Sequence, residues 1–236
     1  IVEDAAHAFP ASYADHPVGW CPSDVRGVSC FSFYATKTIT TGEGGILATN
    51  DAATADRVRL MSLHGLSKQA WNRYAGGTWR YDIQAPGFKY NMTDMAAALG
   101  RVQLRRRSQM TRRRVEIAEA YSTAFSKFPN VVEVPTVPEG RESSWHLYIL
   151  RLAGTSVDKR DMVIDLLKSM GVGVSMHFIP LHQHTYYRKS FGLRDEDFPN
   201  ASTQAARALS LPIWSAMSDD DVRRVIQDTT RVLENL

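Results

Sequence analysis

A single lysine with uncharged neighbours, between two apolar runs, places the strongest constraint on this 236-residue chain. Residues 28–34 are apolar, β-branched and aromatic, which predicts a buried strand. Residues 46–49 form a second apolar run, and small hydroxyl residues lie between the two. Lys37 stands there with no charged residue within five positions on either side. We interpret Lys37 as a partly desolvated amine whose neutral form is nucleophilic and can form a Schiff base.

A carboxylate follows another short apolar segment at the start of the chain. Residues 1–2 are Ile and Val, and Asp4 comes shortly after them, ahead of small residues. In an open α/β sheet, ligands bind at the carboxyl ends of the strands. An acid at one strand end and Lys37 at another are the two groups that a pyridoxal phosphate (PLP) site requires. The acid keeps the pyridine nitrogen protonated, and the lysine carries the aldehyde carbon.

Five segments, in order along the chain, resemble those of a known family. They are residues 3–8, 32–37, 42–45, 87–94 and 177–182. Together they resemble the DegT/DnrJ/EryC1/StrS family, the PLP-dependent sugar-nucleotide aminotransferases of the aspartate-aminotransferase fold. The segments span almost the whole chain, so the resemblance is specific, although each segment alone is a weak signal.

The resemblance implies roles at the cofactor for five residues. Lys37 matches the lysine that carries PLP, and Asp4 matches the carboxylate that pairs with the pyridinium. His7 falls where the family often has Gln or His against the ring hydroxyl. Ser32 matches a hydroxyl that binds the phosphate, and Asn91 an amide that reaches the phosphate from a neighbouring subunit. The alternatives are a surface lysine, a turn-forming aspartate, a structural histidine, a core serine and a capping asparagine.

The same resemblance implies that the loop after residue 177 lines a sugar-nucleotide pocket. The residues expected to bind substrate there are His177, His182, Tyr187 and Arg188. An arginine beside aromatic side chains suits a pyrophosphate and a stacked base, although a plain surface turn explains the same residues. The histidine spacing could also chelate a metal, but no carboxylate or cysteine cluster is near, so no metal is expected.

The resemblance implies an α/β protein of PLP-dependent transferase fold type I, with a mixed sheet in a large domain and a smaller C-terminal α/β domain. We place the domains at residues 1–128 and 129–236, because a Pro-rich segment follows residue 128. Further strands are expected over residues 145–152 and 172–178. Helices are expected over residues 52–63, 93–128, 159–170, 200–209 and 219–233, and the helix over 93–128 is expected to break near residues 108–111, where the apolar period slips.

Two segments carry expectations of another kind. Family members have a leading segment with the first strands and a phosphate-binding turn. We therefore expect that the N-terminal part of the large domain is missing here, and that these residues alone bind PLP weakly. Residues 66–86 form a long aromatic loop, which is either a substrate lid or dimer contact, or a loop held to the core by its aromatic side chains.

Composition narrows the remaining classes. The chain is 44% hydrophobic and 22% charged, which is typical of soluble globular proteins. A net charge of +3 gives no case for nucleic acid, so the arginine triplets at 105–107 and 112–114 are interpreted as helix surface. Cys30 is expected to be a buried apolar residue rather than half of a disulfide. No membrane span or signal peptide is recognised, so a cytoplasmic location is expected.

The resemblance implies a homodimeric aminotransferase with shared active sites. It would move an amino group from glutamate, or a similar donor, to a keto group of a nucleotide-linked deoxysugar. The motif variants at residues 87–92 and 177–182 resemble members that act at C4, and action at C3 is the near alternative. Related PLP- or PMP-dependent dehydratases carry His where Lys37 stands, which argues against them. A catalytically inactive regulatory relative is the third alternative.

Overall fold

The computed structural model describes residues 1–67, 81–154 and 156–236, and within them the chain forms two compact units. The first unit contains Ile1–Ser108 and Gly140–Ser144, and the second contains Gln109–Glu139 and Trp145–Leu236. The limits of these two units do not coincide with the predicted domain boundary after residue 128. That domain boundary stays a prediction.

The regular elements are numbered in chain order. The strands are β1 (Val2–Asp4), β2 (Ser12–Tyr13), β3 (His16–Pro17), β4 (Val28–Ser32), β5 (Gly45–Thr49), β6 (Val132–Glu133), β7 (Arg141–Glu142), β8 (Tyr148–Leu152) and β9 (Ala208–Leu211). The helices are α1 (Ala52–Ser62), α2 (Asp94–Arg105), α3 (Arg107–Phe125), α4 (Val157–Ser169), α5 (Thr185–Phe191), α6 (Pro199–Ala205) and α7 (Asp219–Leu233).

A mixed three-stranded sheet forms the frame of the first unit. Its order is β1-β4-β5, with β1 parallel and β5 antiparallel to the central strand β4. The register pairs Asp4 with Cys30, so β1 and β4 end at the same edge of the sheet. Ser29 is buried but Cys30 is exposed, so the expectation of a buried cysteine is wrong. Successive side chains of a strand point to opposite faces, and the Cys30 face is open in the described part of the chain.

A second small sheet, β3-β2-β7, attaches a distant segment to the first unit. Ser12 pairs with Glu142 across this sheet, and the Ser12 hydroxyl donates to the Glu142 carboxylate at 2.8 Å. Just beyond β7, the Ser144 hydroxyl donates to the backbone carbonyl of His7 at 2.6 Å. The short segment Gly140–Ser144 is therefore fixed beside the chain that follows Asp4.

The second unit is built on the antiparallel sheet β6-β8-β9. Alternate residues of β8, including Tyr148 and Leu150, are fully buried in a core that also contains residues of α3, α4 and α7. The Tyr148 hydroxyl lies 3.0 Å from the Ser122 hydroxyl, and burial raises the pKa of Tyr148 to about 12. Arg114 donates to the carbonyls of Trp145 at 2.8 Å and Ile213 at 3.1 Å, and burial lowers the pKa of Arg114 to about 10.

Several sequence-based boundaries need correction. The break expected near residues 108–111 in the helix over 93–128 lies at Arg106, whose N–H is shared between preceding carbonyls in a tightened turn. The strand expected over 172–178 is reduced to an isolated bridge between Ser175 and Ser210. The helix expected over 200–209 ends at Ala205, because the following residues pair with β8 as strand β9.

Candidate functional site

Hydrogen bonds hold the turn that contains Lys37 on both sides of this residue. After the chain leaves β4, the Lys37 N–H donates to the Tyr34 carbonyl at 3.0 Å. The next two residues, Thr38 and Ile39, are buried. The Thr40 N–H then donates to the Gln103 side-chain oxygen on α2 at 2.9 Å. These contacts fix the backbone of the turn and leave the Lys37 side chain half-buried.

The amine of Lys37 has no competing partner in the described ranges, where it forms no hydrogen bond or ion pair. A half-buried cation normally has a carboxylate or carbonyl beside it, because desolvation without compensation is unfavourable. A lysine held in this way is available to a ligand, and this suits a nucleophile better than a residue that stabilises the fold.

Asp4 lies at the sheet edge where the Lys37 turn begins. It ends β1, and the N–H of the next residue, Ala5, donates to the Cys30 carbonyl of β4 at 2.9 Å. One Asp4 oxygen accepts from the Ala6 N–H at 3.1 Å, and Oδ2 has no partner among the described residues. The expectation that the acid and the lysine follow neighbouring strand ends is therefore what the fold shows.

Three further predicted residues belong to the first unit. Ser32 ends β4 and is half-buried, and its hydroxyl accepts from the Tyr34 N–H at 3.3 Å. His7 follows Asp4 in a turn, and its side chain is half-buried. Asn91 is exposed just before α2, and its side-chain oxygen accepts from the Lys89 amine. Ser32 and His7 share the strand ends with Asp4, whereas Asn91 lies on another part of this unit.

The four predicted substrate residues all lie in the second unit. Nδ1 of His177 is 2.9 Å from the Ser210 hydroxyl. His182 is buried, with Nε2 at 2.9 Å from the Ser202 hydroxyl and its ring stacked on Phe198. The His182 side chain is thus engaged within the fold, and its role in substrate binding stays a prediction.

The other two of these residues belong to the short helix α5. Tyr187 is half-buried and stacks on Phe191, with 6.2 Å between the ring centroids. Arg188 is exposed. Their roles at a substrate also stay predictions.

Two positioning residues on α2 were not identified from the sequence. Gln103 holds the Thr40 backbone, and a Cβ added at Gly100 would lie 2.9 Å from the Thr41 methyl group. Gly100 is thus a site of close approach between the helix and the Lys37 turn. An isolated glycine inside a helical pattern was the available signal. No comparable local signal exists for Gln103, because its partner is distant in sequence.

A cavity of about 750 Å³ in the first unit lies against the same turn. Its lining is almost entirely apolar and includes Phe31, Ile39, Ile46 and Leu104. Lys37, Asp4 and Ser32 are not among the described residues that line it. The cavity therefore lies apart from the polar strand-end cluster, and we do not assign the chemistry to it.

The aromatic loop is only partly described. Residues 68–80, including Trp71, Tyr74 and Trp79, lie outside the described residues, and the lid or dimer-contact role stays a prediction. The ends of the loop form a neck. The Ser67 N–H donates to the Asp82 carbonyl at 2.9 Å, and the Gln84 N–H to the Gly65 carbonyl at 2.8 Å.

The neck leaves no room for a side chain at one position. Gly65 has a φ of +68°, and an added Cβ would collide with the carbonyl of Ala85. Both the backbone conformation and the close approach therefore require glycine there.

The described residues contain neither a metal-binding cluster nor a membrane-spanning helix. No group of three or more His, Cys, Asp or Glu side chains in these ranges is arranged to hold a metal ion. Among the helices of the described part of the chain, none combines the length and apolar character needed to cross a membrane.

Comparison with known proteins identifies related chains. The family model described as the DegT/DnrJ/EryC1/StrS aminotransferase family matches residues 1–230. The chain is 46% identical over 230 residues to the spore coat polysaccharide biosynthesis protein SpsC of Bacillus subtilis, and the match covers 96% of this chain and 58% of SpsC.

Solved structures give the same result. Spr1654 from Streptococcus pneumoniae, described as a sugar aminotransferase, matches with a TM-score of 0.89 in its PMP form and 0.88 in its PLP form. The PMP-form match has 33% identity and covers 100% of this chain and 59% of Spr1654. The chain therefore spans less than two thirds of the length of these relatives.

These matches confirm the predicted α/β class and fold type I. The chain belongs to the DegT/DnrJ/EryC1/StrS aminotransferase family.

Proposed function

We propose that the protein is a PLP-dependent aminotransferase that moves an amino group from glutamate, or a similar donor, to a keto group of a nucleotide-linked deoxysugar. One observation carries this proposal: the unpartnered, half-buried amine of Lys37 follows the strand next to the one that ends in Asp4. The family's solved relative in PLP and PMP forms supports the choice of cofactor.

The residues at the strand ends fit PLP chemically. Asp4 has a carboxylate oxygen without a partner among the described residues, which suits a protonated ring nitrogen. Ser32 offers a hydroxyl donor for a phosphate oxygen. Lys37 offers an amine for the aldehyde carbon. These three residues therefore supply one suitable group for each of three parts of PLP, namely the ring nitrogen, the phosphate and the aldehyde carbon.

Each residue then has a defined task. When bound, PLP would accept the electron pair that is left on the α-carbon of the donor when its proton is removed. The Lys37 amine would take the proton from the α-carbon of the donor as a base and deliver it, as an acid, to the carbon of the cofactor that carried the aldehyde. The Asp4 carboxylate holds a proton on the ring nitrogen, and the Ser32 hydroxyl orients the phosphate. The buried residues that follow Lys37 keep its amine at a fixed position while it moves protons.

The substrate class rests on two supports. SpsC is named for polysaccharide biosynthesis, which requires activated sugars, and Spr1654 is described as a sugar aminotransferase. The motif variants at residues 87–92 and 177–182 favour C4 over C3 as the site of amination. His177, His182, Tyr187 and Arg188 are the residues proposed to contact the sugar nucleotide. Lys37, at the position where dehydratases carry His, favours amine transfer over dehydration.

The substrate proposal has a direct test. The enzyme is first converted to its amine form with glutamate and freed of 2-oxoglutarate. We expect a 4-keto-6-deoxysugar nucleotide to reverse the absorption change rapidly, and NMR of the product to show nitrogen at C4. The 3-keto isomer and pyruvate serve as comparisons and should react poorly. Rapid reaction with pyruvate, and none with the sugar nucleotides, would assign the protein to another group of transaminases.

We also propose that two copies of the chain share their active sites. The support is an exposed apolar face of α2 formed by Met95, Leu99 and Val102, with exposed fractions of 84%, 45% and 51%. Tyr90, directly before Asn91, is 75% exposed. Contiguous exposed apolar residues of this kind are typical of interfaces between subunits. A second copy packed on this face would bring Asn91 to the cofactor phosphate of its neighbour.

Subunit complementation tests this arrangement. Lys37→Ala and Asn91→Ala are each expected to be nearly inactive alone. After mixing and subunit exchange, about a quarter of the wild-type activity should return, because about half of the dimers are mixed and each mixed dimer has one intact site. A mixture of Lys37→Ala with Asp4→Asn is the control, since both residues act in the same subunit and no intact site forms. Tagged subunits that form mixed dimers without recovered activity would place Asn91 elsewhere.

A further inference from the structure

A second cavity lies in the second unit, and His177 is the one residue of its lining that the proposed function also uses. It has a volume of about 300 Å³ and is lined by residues of β8, α6 and the segment that precedes residue 181. Arg151, His177 and Gln204 are its main polar lining residues. The remaining lining is apolar and includes Ile149, Met176, Phe178 and Ala205. The cavity therefore combines one cation with a mainly apolar wall.

Arg151 reaches this cavity because of the strand alternation in β8. Its neighbours Leu150 and Leu152 are buried in the core, so Arg151 lies on the opposite face and is half-buried there. In the ranges described, its guanidinium forms no hydrogen bond or ion pair. The residue paired with it across the sheet is Glu133, whose carboxylate is bound by Arg207 at 2.7 Å. The Glu133 carboxylate is therefore already paired with Arg207 and does not neutralise the charge of Arg151.

The walls of the cavity are held in place by buried hydrogen bonds. Arg160 is buried and donates to the carbonyl of Ala205, and its Nη1 lies 3.2 Å from the Met176 sulfur. His177 is fixed by the 2.9 Å contact of its Nδ1 with the Ser210 hydroxyl. Arg160 therefore holds two walls of the cavity in place, one at Ala205 and one at Met176. A ligand would enter a formed site rather than order one, which lowers the entropic cost of binding.

The chemistry of the lining selects one class of ligand. A guanidinium binds a carboxylate through two parallel hydrogen bonds, and the apolar wall suits a carbon skeleton. The volume is at the lower end of the range of ligand pockets, about 300–1,000 Å³, which admits a small acid but not a nucleotide sugar. A phosphate dianion would need more donors than one arginine with a glutamine and a histidine, because unpaired buried charge is costly.

We propose that this cavity binds a small organic carboxylate, with Arg151 holding the carboxylate and the apolar wall holding its carbon skeleton. Binding at this site requires neither PLP nor Lys37, and only the identification of the acid as the amino donor rests on the proposed function. The acid has two sources that share this chemistry. It is either the amino donor and its keto acid, or another small acid that acts as an effector.

Binding is measured by calorimetry at neutral pH on the 236-residue chain without cofactor, with 2-oxoglutarate, glutamate and isobutyrate as probes. We expect saturable binding of at least one probe at millimolar concentrations. Arg151→Gln should weaken it about tenfold or more, because a charge-assisted pair is lost. Arg151→Lys should retain part of the affinity. Arg223→Gln is the matched control, because it removes an exposed arginine that pairs with Asp220 outside the cavity, and it should change nothing.

A second variant, Ala201→Leu, keeps the positive charge of Arg151 but fills the cavity. Ala201 lines the cavity from the exposed side of α6, so Ala201→Leu should abolish binding while the circular dichroism spectrum stays unchanged. Preference for 2-oxoglutarate or glutamate would identify the donor as the source, and equal binding of isobutyrate would identify a general small-acid site. Absence of saturable binding to all three probes, or binding that is unaffected by Arg151→Gln, would overturn the proposal. Lys37→Ala should bind as the wild type does, which separates this result from the fate of the proposed reaction.

Discussion

Lys37→Ala is expected to lower the turnover of the protein by roughly 10³-fold or more, because one change removes both the nucleophile and the group that moves the proton. The Lys37 backbone is fixed by its neighbours, and its amine has no partner among the described residues, so the loss of the side chain should leave the fold intact. The bound cofactor should lose the absorption band that depends on its covalent link to the protein. Binding through Asp4 and Ser32 should persist in part.

Two further variants sharpen this test. Lys37→Arg keeps a positive charge and a long side chain, but the guanidinium stays protonated, so it should be as inactive as Lys37→Ala. Lys127→Ala removes an exposed lysine from the second unit and should leave turnover unchanged. Single-turnover measurements with glutamate separate chemistry from product release. A Lys37→Ala protein with near-normal turnover would refute the assignment of this residue and, with it, the proposed mechanism.

Asp4→Asn is expected to slow the proton transfer by roughly 10²–10³-fold, the usual effect of removing one electrostatic partner from a reaction centre. The amide is close in size to the carboxylate, and its oxygen can still accept from the Ala6 N–H, so the turn should survive. The lost property is the negative charge that favours a protonated ring nitrogen. The covalent link through Lys37 should still form, so the absorption band should remain while turnover falls.

Glu3→Gln provides the matched control for Asp4→Asn. Glu3 precedes Asp4 on β1 and accepts from the Ser29 hydroxyl, so the same charge is removed one residue away, from the other face of the strand. The ¹⁵N chemical shift of a labelled pyridine nitrogen reports whether the ring is protonated. It would not change in Asp4→Asn if Asp4 had only a structural role. It should show a protonated ring in the wild type and in Glu3→Gln, and a neutral ring in Asp4→Asn. Unchanged turnover together with a protonated ring in Asp4→Asn would remove Asp4 from the site.

The parts of the fold that local sequence determines were predictable. Helix α7 begins and ends where its pattern indicated, because Ser218 and Asp221 form a reciprocal cap at its start. The position of Asp4 and Lys37 at neighbouring strand ends followed from a general rule for α/β sheets. Both depend on short stretches of chain or on the resemblance, and neither requires knowledge of distant pairings.

The parts that failed depend on partners far away in sequence. Strand β9 formed where a helix was expected because residues after Ala205 pair with β8. Ser12 and Glu142 are 130 residues apart, so the return of Gly140–Ser144 to the first unit left no local trace. The burial of His182 depends in the same way on Ser202. Charge and residue type could therefore nominate site residues, but only the folded chain shows which of them are engaged elsewhere.

The neck at Gly65 has a consequence for how this protein can be altered. Backbone hydrogen bonds link the two ends of the aromatic loop, and the Ser67 hydroxyl adds one more link by accepting from the Asp82 N–H at 3.4 Å. Backbone hydrogen bonds do not depend on the identity of a side chain, whereas the positive φ of Gly65 and its close approach to the Ala85 carbonyl do. Among the described ends of this loop, sequence change is therefore restricted most strongly at position 65.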